Sequence, residues 1–109
     1  MPFQDNVGAD FWGSKRLKAP EEYCLGATID DRTNVFKAGA LFFHLFGHFT
    51  PEQLAKIYHS NQFSPVDFEN FSLPNTFYQL LLKAVHLEPE HRYQSIANFK
   101  QEWLFLQKN

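Results

Sequence analysis

The sequence predicts an all-α domain of about five helices, and three observations carry that prediction. Apolar residues recur at helical spacing in two late stretches, Phe77 to Val85 and Ile96 to Leu104. The stretch Thr33 to Phe46 is apolar almost all round, as a helix at the centre of a domain is. No sustained alternation of apolar and polar residues suggests a strand, and no internal repeat is visible. A chain of 109 residues, 44% of them hydrophobic, suffices for one small domain with its own core. Residues 1–14 read as a loop with room for partial disorder, and residues 15–109 as a single helical domain.

Each element has a local reason. Met1 to Ser14 mixes Gly8, Gly13, Asp5, Asn6 and Asp10 with isolated aromatics and follows neither period. Pro20-Glu21-Glu22 places a proline and two acids where a helix begins, and Gly26 supplies a stop, which predicts a short helix from Pro20 to Leu25. Asp30 and Asp31 open a second loop before the central helix. Thr50-Pro51-Glu52-Gln53 is a strong helix start: threonine caps, proline fits the first turn, and Gln53 reaches back. That helix is expected to run to His59 and to bury Leu54, Ile57 and Tyr58. Ser60 to Pro74 shows no sustained period and reads as an ordered connection pinned by Phe63, Phe68 and Phe71, or else as a linker. Phe77, Leu80, Leu81, Ala84 and Val85 form one helical stripe, which Pro89 ends. Ser95 caps a last helix whose stripe is Ile96, Phe99, Trp103 and Leu104.

Charge and composition exclude several classes of function. A net charge of −2, with the basic residues spread out apart from Lys15, Arg16 and Lys18, gives little attraction to nucleic acid or acidic lipid. No run approaches the roughly 18 apolar residues that span a bilayer, and the N-terminus has neither the basic start nor the apolar core of a secretory signal. The single cysteine, Cys24, forms no intrachain disulfide and suits a reducing, cytoplasmic setting. Nineteen aromatic residues, thirteen of them phenylalanine, must be largely hidden, and they dominate whatever core forms.

Three motifs stand in order along the chain: Gly13-Ser14-Lys15-Arg16-Leu17-Lys18-Ala19-Pro20-Glu21, then Asn34-Val35-Phe36-Lys37-Ala38-Gly39, then Glu88-Pro89-Glu90-His91-Arg92. At this spacing they resemble the last third of a eukaryotic-type serine/threonine protein kinase domain, beginning just before its Ala-Pro-Glu motif, and the resemblance spans Gly13 to Leu104. It implies the lower half of the larger kinase lobe, with Glu21 paired to Arg92 because a guanidinium grips a carboxylate through two parallel hydrogen bonds. Read alone, without the flanking motifs, Glu21 and Arg92 are ordinary surface charges. The resemblance also makes Gly39 a packing position of the central helix and Gly13 to Lys18 the loop that meets a substrate or partner. Asn34 stands where kinases carry an aspartate that supports the catalytic loop, and it lacks the charge for that role. Ser14 and Leu17 replace the threonine and aromatic usual in the substrate loop, so no substrate specificity carries over.

No Gly-rich phosphate loop, strand lysine, His-Arg-Asp loop or Asp-Phe-Gly ligand accompanies these motifs. Asp10-Phe11-Trp12-Gly13 looks like the last of these with an insertion, but it lies too close to Ala19-Pro20-Glu21 for an activation segment to fit between. The expectation is therefore a non-catalytic kinase-like fragment that recognises a protein partner or itself, with no cofactor and no ATP bound by this chain alone. The alternatives are one piece of an active kinase whose nucleotide-binding half is a separate polypeptide, and an unrelated helical interaction module. His44 and His48 have a metal-ligand spacing, yet no third ligand or metalloprotease glutamate accompanies them, so a solvated helix end with His44 packed on aromatics is the preferred reading and no metal is expected. In a complete kinase domain, upstream helices enclose the equivalent of Thr33 to Phe46. Their lack predicts an uncovered patch around Phe36, Phe42, Phe43 and Phe46, and with it a homo-oligomer or else a chain soluble only with its missing half.

Overall fold

The computed structural model describes residues 18–60 and 62–108, and among them the fold is all-helical. Four α-helices, α1 (Asp31–Phe46), α2 (Pro51–Ser60), α3 (Asn75–Ala84) and α4 (Ile96–Lys108), alternate with 3-10 turns at Pro20–Tyr23, Phe68–Asn70 and Pro89–His91. No strand occurs among the described residues, and an isolated antiparallel bridge joins Gly47 to Phe71. Helix α1 is central and packs against α3, α4 and the Pro89–His91 turn.

The central helix starts two residues earlier than its apolar run. Asp30 caps it, its carboxylate accepting from the Arg32 N–H at 3.0 Å while its own N–H donates to Thr33 Oγ1 at 3.4 Å. Acidic residues suit this position because they satisfy free amides and oppose the helix dipole. Val35, Phe36, Gly39, Ala40 and Phe43 are buried along one face. Gly39 marks the crossing with α3: a Cβ there would sit 2.8 Å from Ala84 Cβ and 2.9 Å from Val85 Cγ1, so only a hydrogen lets the helices meet this closely.

The predicted helix Pro20 to Leu25 is a single 3-10 turn. The Cys24 N–H donates to the Glu21 carbonyl at 3.1 Å, and the backbone then turns through Gly26 at a φ of 88°. Helix α2 has the expected capping box: the Gln53 N–H donates to Thr50 Oγ1 at 3.1 Å and the Thr50 N–H to Gln53 Oε1 at 2.8 Å. Ile57 is buried beneath it, but Tyr58 is on the outside, one position past the buried stripe.

Of the two readings of Ser60 to Pro74, the ordered connection is the one observed for its described residues. Phe63, Val66 and Phe71 are buried, and the Tyr78 hydroxyl donates to the Val66 carbonyl at 2.7 Å. Helix α3 ends at Ala84, well before Pro89, because the next carbonyls are turned to another partner described below. In α4, Ser95 Oγ accepts from the Asn98 N–H at 3.0 Å. Its inward residues are Ile96, Phe99, Trp103 and Leu106, with Leu104 left exposed.

The rings gather around two centres, Phe43 and Trp103. Phe43 meets Phe63, Phe71 and Tyr78 with centroids 5.6–5.9 Å apart, and Phe42 lies 4.7 Å from Trp103. Phe36 and Phe43 are fully buried within this single chain, which removes them from the candidates for a subunit interface. The inward-folding connection, through Phe63 and Phe71, and α3, through Tyr78, supply the cover in place of upstream helices. Phe42 and Phe46 are half-buried, packed on Trp103.

Candidate functional site

The Pro20–Tyr23 turn, the first turn of α1 and the chain corner after α3 converge on one guanidinium. The 3-10 turn is closed by the Glu22 carboxylate, which accepts from the Ala19 N–H at 2.9 Å and pairs with Lys37 Nζ at 3.0 Å. Ala19 is buried, so the turn presses against the core and directs the Glu21 side chain inward. Facing it, the residues before Pro89 leave the helix and point their carbonyls the same way.

Arg92 donates from Nη1 to Glu21 Oε2 at 2.6 Å and from Nη2 to Glu21 Oε1 at 2.9 Å, a fork-to-fork ion pair between residues 71 apart in sequence. Nη1 also donates to the Arg32 carbonyl at 3.1 Å, Nε to the His86 carbonyl at 2.7 Å and Nη2 to the Leu87 carbonyl at 3.4 Å. A guanidinium has five N–H donors, and here five acceptor contacts use them all. The Thr33 hydroxyl donates to Glu21 Oε2 at 2.7 Å, and Arg92 Cζ stands 4.8 Å over the Phe36 ring. The Arg92 side chain is 0% exposed and that of Glu21 8%. A lysine offers neither the planar fork nor the fifth donor.

Electrostatics at this site favour the charged carboxylate. Burial pushes the Glu21 carboxyl up, but the hydrogen bonds from Arg92 and Thr33, helped by the turn's own backbone and the Arg92 charge, outweigh it and hold the group below its usual range. Asp30, at the rim, is held low chiefly by its hydrogen bond from Arg32. At the next residue after Arg92, burial first and the Glu102 charge second push the Tyr93 phenol up.

The other residues singled out by sequence fall in different places. Asn34 is exposed on α1 and takes no part in the ion pair, since Asp30 is the cap and Thr33 the residue that reaches Glu21. Lys18 Nζ lies 5.3 Å over the Tyr23 ring. Gly13, Ser14, Lys15, Arg16 and Leu17 lie outside the described residues. The His44 ring stacks on Phe49 with centroids 4.4 Å apart, while His48 is exposed. Beside α2, Gln53, Lys56 and Ser60 line an open groove of about 390 Å³ with Ser64 and Pro65.

Sequence reasoning missed Thr33 and the three carbonyls. Thr33 had one signal, its place three residues after Asp30 in a capping-box pattern. Carbonyl acceptors have no side-chain signature at all. The arrangement can clamp two remote segments together; its carboxylate is already engaged by three side-chain donors. No protein-family model matches the chain, and neither curated proteins nor solved structures give a significant match.

Proposed function

We propose that this chain is a non-catalytic helical fragment resembling the lower part of a serine/threonine kinase large lobe, and that it acts by recognising a protein partner. The observation that supports the reading is the Glu21–Arg92 pair, which joins the two motifs that the kinase resemblance pairs. The clamp fixes the segment from Lys18 to Tyr23 on the 86–92 corner. On this reading Gly13 to Lys18, immediately upstream, carry the recognition, together with the groove beside α2. A cytoplasmic setting belongs to the same proposal. Among the described residues no helix is long and apolar enough to cross a membrane.

Two measurements test it. A ligand at a hundred times its dissociation constant stabilises a fold by about 2.7 kcal/mol, so a thermal scan with Mg-ATP detects nucleotide binding; the expected melting temperature is unchanged, and a reproducible rise contradicts the non-catalytic reading. Grafting residues 18–108 onto a kinase deprived of its own corresponding segment is expected to give a soluble chimera whose remaining half binds ATP. A chimera that aggregates while both parents fold contradicts the kinase likeness.

A further inference from the structure

Helix α1 has a second apolar face that the described residues cover only in part. Ala38, Leu41, Phe42 and Leu45 fall at i, i+3, i+4 and i+7; the first three are half-buried and Leu45 is 61% exposed. Against them α4 offers Ile96, Trp103 and Leu104. Between the two helices lies a groove of about 390 Å³ with Ala38 and Phe42 on one wall and Trp103 and Leu104 on the other. Its lining is almost entirely apolar, and the small side chain of Ala38 leaves room for close approach.

Lys100 is the charged residue of the lining, with Gln107 beside it, and Leu104 and Lys108 follow Lys100 at i+4 and i+8 on α4. The acids nearby lie outside the lining: Glu102, two positions past Lys100, faces another side of α4, and Asp31 accepts from the Ile96 N–H at 2.9 Å at the far end. Lys37, on the other helix, is paired with Glu22. The edge along α4 is thus basic and unneutralised by any acid in the lining.

We infer that the α1–α4 groove docks an amphipathic helix from another polypeptide, apolar on the face that meets Ala38, Phe42 and Trp103 and acidic along the edge that meets Lys100 and Lys108. Apolar contact supplies the attraction, and the basic edge fixes orientation and excludes helices with a basic rim. The inference specifies the partner of the recognition function above and depends on that reading only in taking the chain to bind protein. The graft and the titration below can fail separately.

The test is fluorescence anisotropy of a labelled helical peptide about four turns long, with leucine along one face and glutamate along one edge, titrated with the full chain. A second peptide carries lysine in place of glutamate. The acidic-edged peptide is expected to bind at least about tenfold more tightly at low salt, with the gap closing as salt rises. Lys100→Glu with Lys108→Glu, both exposed on α4, is expected to invert the preference while the cooperative thermal transition is retained. Ala38→Gln, which narrows the groove, is expected to weaken both peptides. Equal binding of the two peptides, or none, overturns the inference. Binding that appears only after residues 1–17 are deleted reassigns the groove to this chain's own N-terminal segment, and a dimer in light scattering that Ala38→Gln dissociates reassigns it to a second copy; either result overturns it as well.

Discussion

At its N-terminal end α1 meets directional groups: the Asp30 cap, the Thr33 hydroxyl, and the Arg92 guanidinium shared among Glu21 and three carbonyls. At its C-terminal end it meets rings: Phe43 among Phe63, Phe71 and Tyr78, and Phe42 beside Trp103. Both ends tie sequence-distant segments to the same helix. The polar end does so with bonds that each need one partner at one angle, and the aromatic end with contacts that several ring arrangements satisfy. Loss at the polar end therefore strands a charge, while loss at the aromatic end leaves a cavity that neighbours partly fill.

The comparison is broken most severely by cutting the aromatic end at its centre. Phe43→Ala removes a fully buried ring and is expected to cost about 3–5 kcal/mol in chemical denaturation; a loss below about 1 kcal/mol would mean that the surrounding rings close the gap completely. Midway along the helix, Gly39→Ala drives a methyl into Ala84 and Val85. Overpacking of about 1–3 kcal/mol exceeds the gain of up to about 1 kcal/mol in helix propensity, so net destabilisation is expected, with partial rescue by Ala84→Gly. A neutral or stabilising Gly39→Ala would show that α1 and α3 separate freely. The smallest mutational effect is Thr50→Ala, which removes a cap from α2 and is expected to cost about 1 kcal/mol, without touching either end of α1.

Acid separates the two ends without mutation. The folded Glu21 carboxyl is held below its ordinary range, so its contribution is fully present above the unfolded glutamate value and is lost as pH falls through the lower folded value. Asp30 contributes with the same sign. Stability of the wild type is expected to fall with acid more steeply than that of a variant in which Glu21 and Arg92 are both apolar. Parallel pH curves would show the pair to contribute nothing.

The sequence revealed the polar end better than the aromatic one, and the reason is physical. A carboxylate and a guanidinium have fixed donor and acceptor sets, so Glu21 and Arg92 within ordered motifs could be paired on paper. Their supporting carbonyls could not, because every residue carries one and only backbone direction selects His86, Leu87 and Arg32. Phenylalanine content announced a ring-filled core but not its arrangement. Phe36 and Phe43 read as part of an uncovered patch because the kinase resemblance puts their cover in upstream helices, whereas the connection from 62 to 74, which shows no periodicity, covers the core beside them. Helix starts are legible at two of the three side-chain caps, Thr50 and Ser95, while Asp30 reads as loop because its cap precedes the apolar run. Helix ends set by backbone carbonyls turning away, as after Ala84, left no mark.

The most direct test of the account is a double-mutant cycle on the ion pair, with Glu21→Leu, Arg92→Met and both together, followed by urea denaturation. Each single change is expected to cost about 3–5 kcal/mol, because it leaves a buried charge without its partner, and the double change is expected to recover much of that loss. Single effects below about 1 kcal/mol that simply add would contradict the account, reducing Glu21 and Arg92 to ordinary charges and removing the clamp on which the proposed kinase likeness rests.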